Sequence, residues 1–274
     1  MAHPQIAAFA RLATENSNAE RVLAGQETLL SRTMHGIGYD DVHDLFLVPN
    51  PFAQSVLMFK GDANGQDKPL RVIQGPRTMM MKPDAIAVDG HNSEIYIPDI
   101  PGILVFPEDG NGDVAPVRVV ASPNWKSGFG VAIDPVHNLM IVPGTYGKGK
   151  DRKSAIMIFN RTDKGAAEPK AVIGGPKSLG MYSVGRCVVY PPKGMFVCTA
   201  TIEIGQGEVE PKGTFLGVWS INDSGDVAPR WKIEGSKIQM RRPLGITLNP
   251  NNREVIVSDM RLNSVLTYSL PEMF

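Results

Sequence analysis

The stretch Val56-Leu57-Met58-Phe59, followed by Gly65, Pro69 and Leu70-Arg71-Val72-Ile73, decides the fold because it returns along the whole chain. An aliphatic run ends in an aromatic, a Gly-containing turn and a Pro follow, and a second apolar run begins. Further copies are Ile103-Leu104-Val105-Phe106 with Gly112, Pro116 and Val117-Arg118-Val119-Val120, and Ile156-Met157-Ile158-Phe159 with Gly165, Pro169 and Ala171-Val172-Ile173. Leu216-Gly217-Val218-Trp219 with Gly225, Pro229 and Trp231-Lys232-Ile233 is a fourth, and Val265-Leu266-Thr267-Tyr268 opens a fifth. One such unit cannot bury its own apolar faces, so the copies must pack on one another.

Two more short runs lie between successive copies. The first set is Gly36 to Asp40, Ala85 to Asp89, Gly130 to Asp134, Cys187 to Pro191 and Gly245 to Asn249. Small residues open these runs, as close backbone approach requires. The second set is Leu45 to Val48, Ile95 to Ile97, Leu139 to Val142, Met195 to Val197 and Val255 to Val257. All are short, β-branched or aromatic, and bounded by Gly, Pro, Asn or Asp, which reads as strand. Each unit therefore carries four strands, called A, B, C (ending in the aromatic) and D (after the Pro).

The aromatics recur 47 to 60 residues apart. Four-stranded units of that length are the pattern of a β-propeller. The expected fold is all-β, a single propeller over residues 1–274 with five blades, six being the alternative count. A β-sandwich fits the fixed repeat poorly, and an α/β solenoid lacks its helices. The last unit has no D strand, whereas Arg21-Val22-Leu23-Ala24-Gly25 parallels Arg71 to Gly75. Residues 21–25 are thus expected to complete the last blade, leaving 1–20 as an N-terminal arm. Residues 6–23 admit a short helix, and Ile6-Ala7-Ala8-Phe9 within that arm also resembles a weak copy of strand C.

Bulk composition narrows the partners. Lys+Arg 28 balances Asp+Glu 28, so no strong field favours nucleic acid or an anionic membrane. No apolar run approaches the ~18 residues of a membrane span. The first residues lack a basic region followed by an apolar core, so no signal peptide is expected; a cytoplasmic protein, or a secreted one with its leader removed, fits. Cys187 and Cys198 flank the turn Pro191-Pro192-Lys193-Gly194 and should face each other across a hairpin. A cross-strand disulfide is possible there, but two buried thiols are the favoured expectation.

The pattern resembles NHL-type repeats. The resemblance is carried by Pro83-Asp84-Ala85-Ile86-Ala87-Val88-Asp89, Ile95-Tyr96-Ile97-Pro98-Asp99 and Ile103 to Phe106, and by Pro243 to Leu248 with Val255-Ile256-Val257-Ser258-Asp259. It implies a propeller, usually of six blades, in a group that includes binding modules and relatives of lyases and lactonases. Such relatives often hold a divalent cation on inward Glu, Asn and Asp side chains. No matching set opens the A strands here; Asn50, Asp99 and Asp259, at the ends of B strands, are the residues that keep a calcium site in view.

Function is expected where the copies disagree. In a propeller the D–A and B–C loops share one face, and the A–B and C–D turns share the other. His43, His91 and His137 fall in A–B turns and are expected to make turn and inter-blade contacts. The residue just before strand A varies as His35, Asp84, Phe129, Arg186 and Leu244, and these five should ring the channel mouth. His35 as base, Asp84 orienting it and Arg186 holding an anion would make a lyase, isomerase or hydrolase centre. Phe129, Leu244, Tyr182, Lys82, Arg242, Met34 and Met81 would line a mixed apolar and cationic pocket for a small anionic or aromatic ligand. No cofactor is specified; thioethers of the Met-rich D–A loops beside His35 could bind copper instead. The other reading is a protein-interaction scaffold using the longer rim loops 144–154 and 200–214. The basic, Gly-rich run Gly144 to Lys153 lacks the ending of a phosphate-binding loop and is expected to be a surface loop. Oligomeric state is left open.

Overall fold

A computed structural model describes residues 4–14, 16–32, 34–128, 130–178, 183–202 and 213–274. Among these residues it is all-β, with short 3₁₀ turns and no α-helix. No helix among the described residues is long and apolar enough to cross a membrane. The architecture is a five-bladed β-propeller. The chain divides into two compact units, Met1–Val117 and Arg118–Phe274.

The first unit opens with an antiparallel ribbon of β1 (Gln5–Ala8) and β2 (Arg21–Ala24). The first blade follows as β3 (Gly38–Asp40), β4 (Leu45–Asn50), β5 (Ser55–Lys60) and β6 (Arg71–Gln74), paired in chain order. The second is β7 (Ala87–Asp89), β8 (Glu94–Asp99) and β9 (Gly102–Pro107), with β10 (Arg118–Val120) as its last strand, counted in the second unit. In the second unit the third blade has five strands: β11 (Trp125–Ser127), β12 (Ala132–Asp134), β13 (Leu139–Tyr146), β14 (Lys153–Asn160) and β15 (Ala171–Ile173). The fourth is β16 (Ser183–Tyr190), β17 (Met195–Thr201), β18 (Phe215–Ser220) and β19 (Trp231–Ile233). The fifth holds three strands, β20 (Pro243–Asn249), β21 (Glu254–Asp259) and β22 (Ser264–Ser269).

One register repeats wherever strand C meets strand D. Met58 faces Arg71, Ile158 faces Ala171 and Val218 faces Trp231. The amide just before strand D donates to the strand C carbonyl each time, as in Leu70 to Met58, Val117 to Val105, Lys170 to Ile158 and Arg230 to Val218. The aromatic that ends strand C is buried in the blades: Phe59, Phe106, Phe159 and Trp219 are all fully enclosed. Each contributes about 1.5–3 kcal/mol by leaving water. Phe46 stacks on Phe59 and Phe196 on Trp219, so strand B supplies the ring's partner.

A second repeated contact ties four of the D-type strands, β2, β6, β10 and β15, to a C–D turn. Gly65 donates to Val22 and accepts from Ala24; Gly112 does the same with Val72 and Gln74, Gly165 with Val119 and Ala121, and Gly225 with Val172 and Gly174. These four glycines have φ between +60° and +78°, a left-handed conformation that a side chain would strain.

Three expectations need correction. Residues 21–25 do form a strand, but the ladder of β2 runs to β1, with Ala8 facing Arg21 in the C–D register. The last sheet accordingly has no fourth strand among the described residues. Gly144 to Ser154 is no open loop: the β13–β14 ladder continues to Tyr146 facing Lys153, and β11 adds to its edge. Cys187 does face Cys198, but the two form a disulfide rather than two thiols.

Candidate functional site

The D–A loops carry the varied position before strand A, and both of their ends are pinned. At the start, Gly75 lies against Asp113, whose Oδ1 accepts from Arg77 N–H, while Thr78 Oγ1 donates back to the Gly75 carbonyl. Asp226 holds the amides of Lys177 and Ser178 in the same way. Toward their ends, Asp99 accepts from the amides of Met81 and Lys82, and Asp259 from those of Arg241 and Arg242. Asn50 accepts from Ser31 Oγ and Ala53 N–H. Asn50, Asp99 and Asp259, the residues that kept a calcium site in view, thus hold loop geometry with these oxygens.

The pinned loop of the first blade delivers His35 to Asp84. Nδ1 of His35 stands 2.6 Å from Asp84 Oδ1 and donates to it. Gly36 makes this possible: a Cβ there would sit 3.1 Å from the Asp84 carbonyl oxygen. The His35 side chain is 51% exposed and that of Asp84 19%. A carboxylate that takes the Nδ1 hydrogen orients the ring and sets its tautomer.

Arg186 belongs to the second unit, half-buried on β16. It lies where the β16–β17 register slips between Val184 and Cys187, its amide donating to Thr199 Oγ1, and it packs on Gly130. Leu244 occupies the same kind of register slip between Pro243 and Gly245 on β20. Both varied positions thus sit on β-bulges, which re-aim a side chain at a sheet margin. Phe129 and Tyr182 lie outside the described residues. Of the other expected lining residues, Lys82, Met81 and Arg242 are exposed, while Met34 packs partly against the core under the first blade. Met80 and Met240 are buried, so those two thioethers serve packing. In the rim loop 200–214, residues 203–212 lie outside the described residues.

Exposed apolar residues gather on the same loops. In the first unit Phe52 is 79% exposed, Ile100 70%, Met81 53% and Met79 48%. Gln54 Nε2 donates to the Met81 carbonyl, and Asp99 takes the amides of both Met81 and Ile100. These bonds hold the tips of two B–C turns and one D–A loop side by side. Sequence reading passed over Phe52 and Ile100; their signal was a large apolar residue at the tip of a short turn.

The A–B turns make the expected turn contacts. His43 Nδ1 bonds Asp40 Oδ2 at 2.7 Å and His137 Nδ1 bonds Asp134 Oδ2 at 2.8 Å, with Asn92 Nδ2 to Asp89 Oδ2 as the amide version.

No protein-family model matches the chain. No curated protein matches it either. Among solved structures, 547 chains match. One is a chain of "Crystal Structure of Mitotic Checkpoint Complex", with a TM-score of 0.56 and 12% sequence identity over 92% of this chain. This chain spans 65% of the length of that one. At that identity the likeness concerns the fold.

Proposed function

We propose that this propeller is a protein-interaction module whose contact surface is the loop face of the first unit, centred on Phe52, Met81 and Ile100. The exposed apolar side chains at adjoining turn tips carry the reading. Large apolar residues clustered in solvent mark interaction sites rather than folding needs. The fold likeness to a chain within a multiprotein complex agrees with it. A photo-crosslinking residue placed at position 52 or 100 in the full chain, in cells, should give the same discrete protein adduct. Position 136 is the control, since Val136 is equally exposed but lies in an A–B turn. No adduct, or the same adduct from position 136, sinks the proposal.

A second reading rests on the His35–Asp84 hydrogen bond. A small organic anion bound by His35, with Lys82 of the same unit as a candidate cationic partner, is proposed there. Thermal-shift screening of carboxylates and phosphate esters tests it. A stabilising ligand should lose its effect in His35→Ala; a ligand that still stabilises that variant counts against this site.

A further inference from the structure

On the opposite loops, the three A–B turns of β3–β4, β7–β8 and β12–β13 are built alike, yet one carries an addition the turn does not need. Asp40, Asp89 and Asp134 each end an A strand, accept backbone amides from their own turn, and bond the side chain three residues on. That partner is His43, Asn92 or His137. At His43 a second carboxylate enters, from Glu108 just after β9. Its Oε2 lies 3.3 Å from His43 Nδ1. The equivalent positions in other C–D turns are Gly61, Arg161 and Ile221, so the fold does not call for an acid.

Glu108 is 4% exposed, and its Oε2 has no hydrogen-bond partner among the described residues. A buried carboxylate oxygen left without a donor costs on the order of 1–3 kcal/mol, more when charged. Asp40 beside it is also buried, seated against Gly90, where a Cβ would fall 1.9 Å from Asp40 Oδ1. The donor atoms of Asp40, His43 and Glu108 all lie within 4.8 Å of one another. Nδ1 of His43 stands 2.7 Å from one carboxylate and 3.3 Å from the other. Ligands bound at ~2.0–2.2 Å to one ion sit at about such separations from each other.

We infer that Asp40, His43 and Glu108 form a binding site for one divalent transition-metal cation. The ion takes the Nδ1 lone pair, the ring proton moving through solvent to Nε2 so that the imidazole stays neutral, and gives the orphaned Glu108 oxygen its partner. One imidazole and two carboxylates suit zinc or manganese, and three protein ligands leave positions open to water. His43 is 46% exposed, so the ion has a way in. Arg71 is a further charged group close by and lends the site one positive charge.

Titration of the full, tag-free chain with zinc chloride and, separately, manganese chloride after chelator treatment tests this. The expected result is one ion per chain by calorimetry, with a manganese spectrum showing nitrogen coordination. Glu108→Gln and His43→Asn should each weaken binding tenfold or more. His43→Asn copies the Asn92 turn, so it keeps the Asp hydrogen bond and should melt like the parent without metal. His137→Ala removes a histidine from the same kind of turn and should leave binding unchanged. No binding at millimolar metal overturns the site. Binding that survives both Glu108→Gln and His43→Asn also overturns it, since the ion then sits elsewhere.

Discussion

Glu108 also sets a pH dependence on the metal-free protein. Its carboxyl ionises near 4.5 when unfolded and at about 7 in the fold, because burial and Asp40 both disfavour its charge. A folded state that keeps a proton the unfolded chain has lost is destabilised as pH rises between those values. His43, raised by its bond to Asp40, loses its contribution in the same direction as pH climbs past 6.5. Asp40, lowered by its hydrogen bonds, acts only below its ordinary 3.8. In chelator, urea midpoints should therefore fall from pH 4.5 to pH 7.5. The Glu108 share is at most about 3 kcal/mol, at 1.36 kcal/mol per pKa unit. Glu108→Gln should remove most of the decline; an unchanged slope would show that the carboxyl titrates normally. The sequence revealed one half of this cluster. Asp40 and His43 are three residues apart in a turn, and periodicity places them. Glu108 comes from a different sheet, and nothing in its own turn announces its neighbour. The His35–Asp84 pair was legible for the opposite reason: both occupy one repeated offset, and neighbouring copies of an offset must meet.

At the scale of strands, the C–D register explains what could be read and what could not. The β-pairing of Cys187 with Cys198 followed from the turn between them, but geometry alone left the choice between thiols and a disulfide to chemistry. Both side chains are buried, Cys198 completely. The bridge closes a short loop, 11 residues in sequence separation, so removing it should cost about 2–3 kcal/mol on chain-entropy grounds. A Cys187→Ala/Cys198→Ala double variant should melt correspondingly lower than the parent. Dithiothreitol should destabilise the parent only after exposure to denaturant and should not affect the variant. Equal stability of parent and double variant would mean the strand ladder alone holds β16 to β17. The β1 ladder was harder to foresee. Ala8 facing Arg21 repeats Met58 facing Arg71, so Ile6 to Phe9 offers β2 the same register that the strand C pattern of Val265 to Tyr268 offers. Two segments carry the strand C code and one carries the strand D code, and hydrophobic pattern cannot rank the two candidates. Proximity in sequence favours β1, because closing a shorter loop costs less entropy.

Charge acts on the molecule as a whole. With 28 basic and 28 acidic residues, and a pI near 7.0, the chain has no net repulsion to keep copies apart at neutral pH. If the proposed loop face is the contact surface, its exposed apolar tips set how strongly molecules attract one another under these conditions. Phe52 and Ile100 are the most exposed large apolar side chains of the loop face, and both sit on turns whose backbone is already tied down. Replacing them with Ser leaves net charge and turn hydrogen bonds in place, so it isolates the apolar term. The osmotic second virial coefficient from light scattering should be lowest near pH 7 and rise toward pH 9 as net negative charge accumulates. At pH 7 the Phe52→Ser/Ile100→Ser variant should give a clearly more positive coefficient than the parent, and added salt should change either protein little. A parent and variant that scatter alike at pH 7 would place the attraction elsewhere on the surface, and the loop face of the first unit would lose its claim as the contact surface.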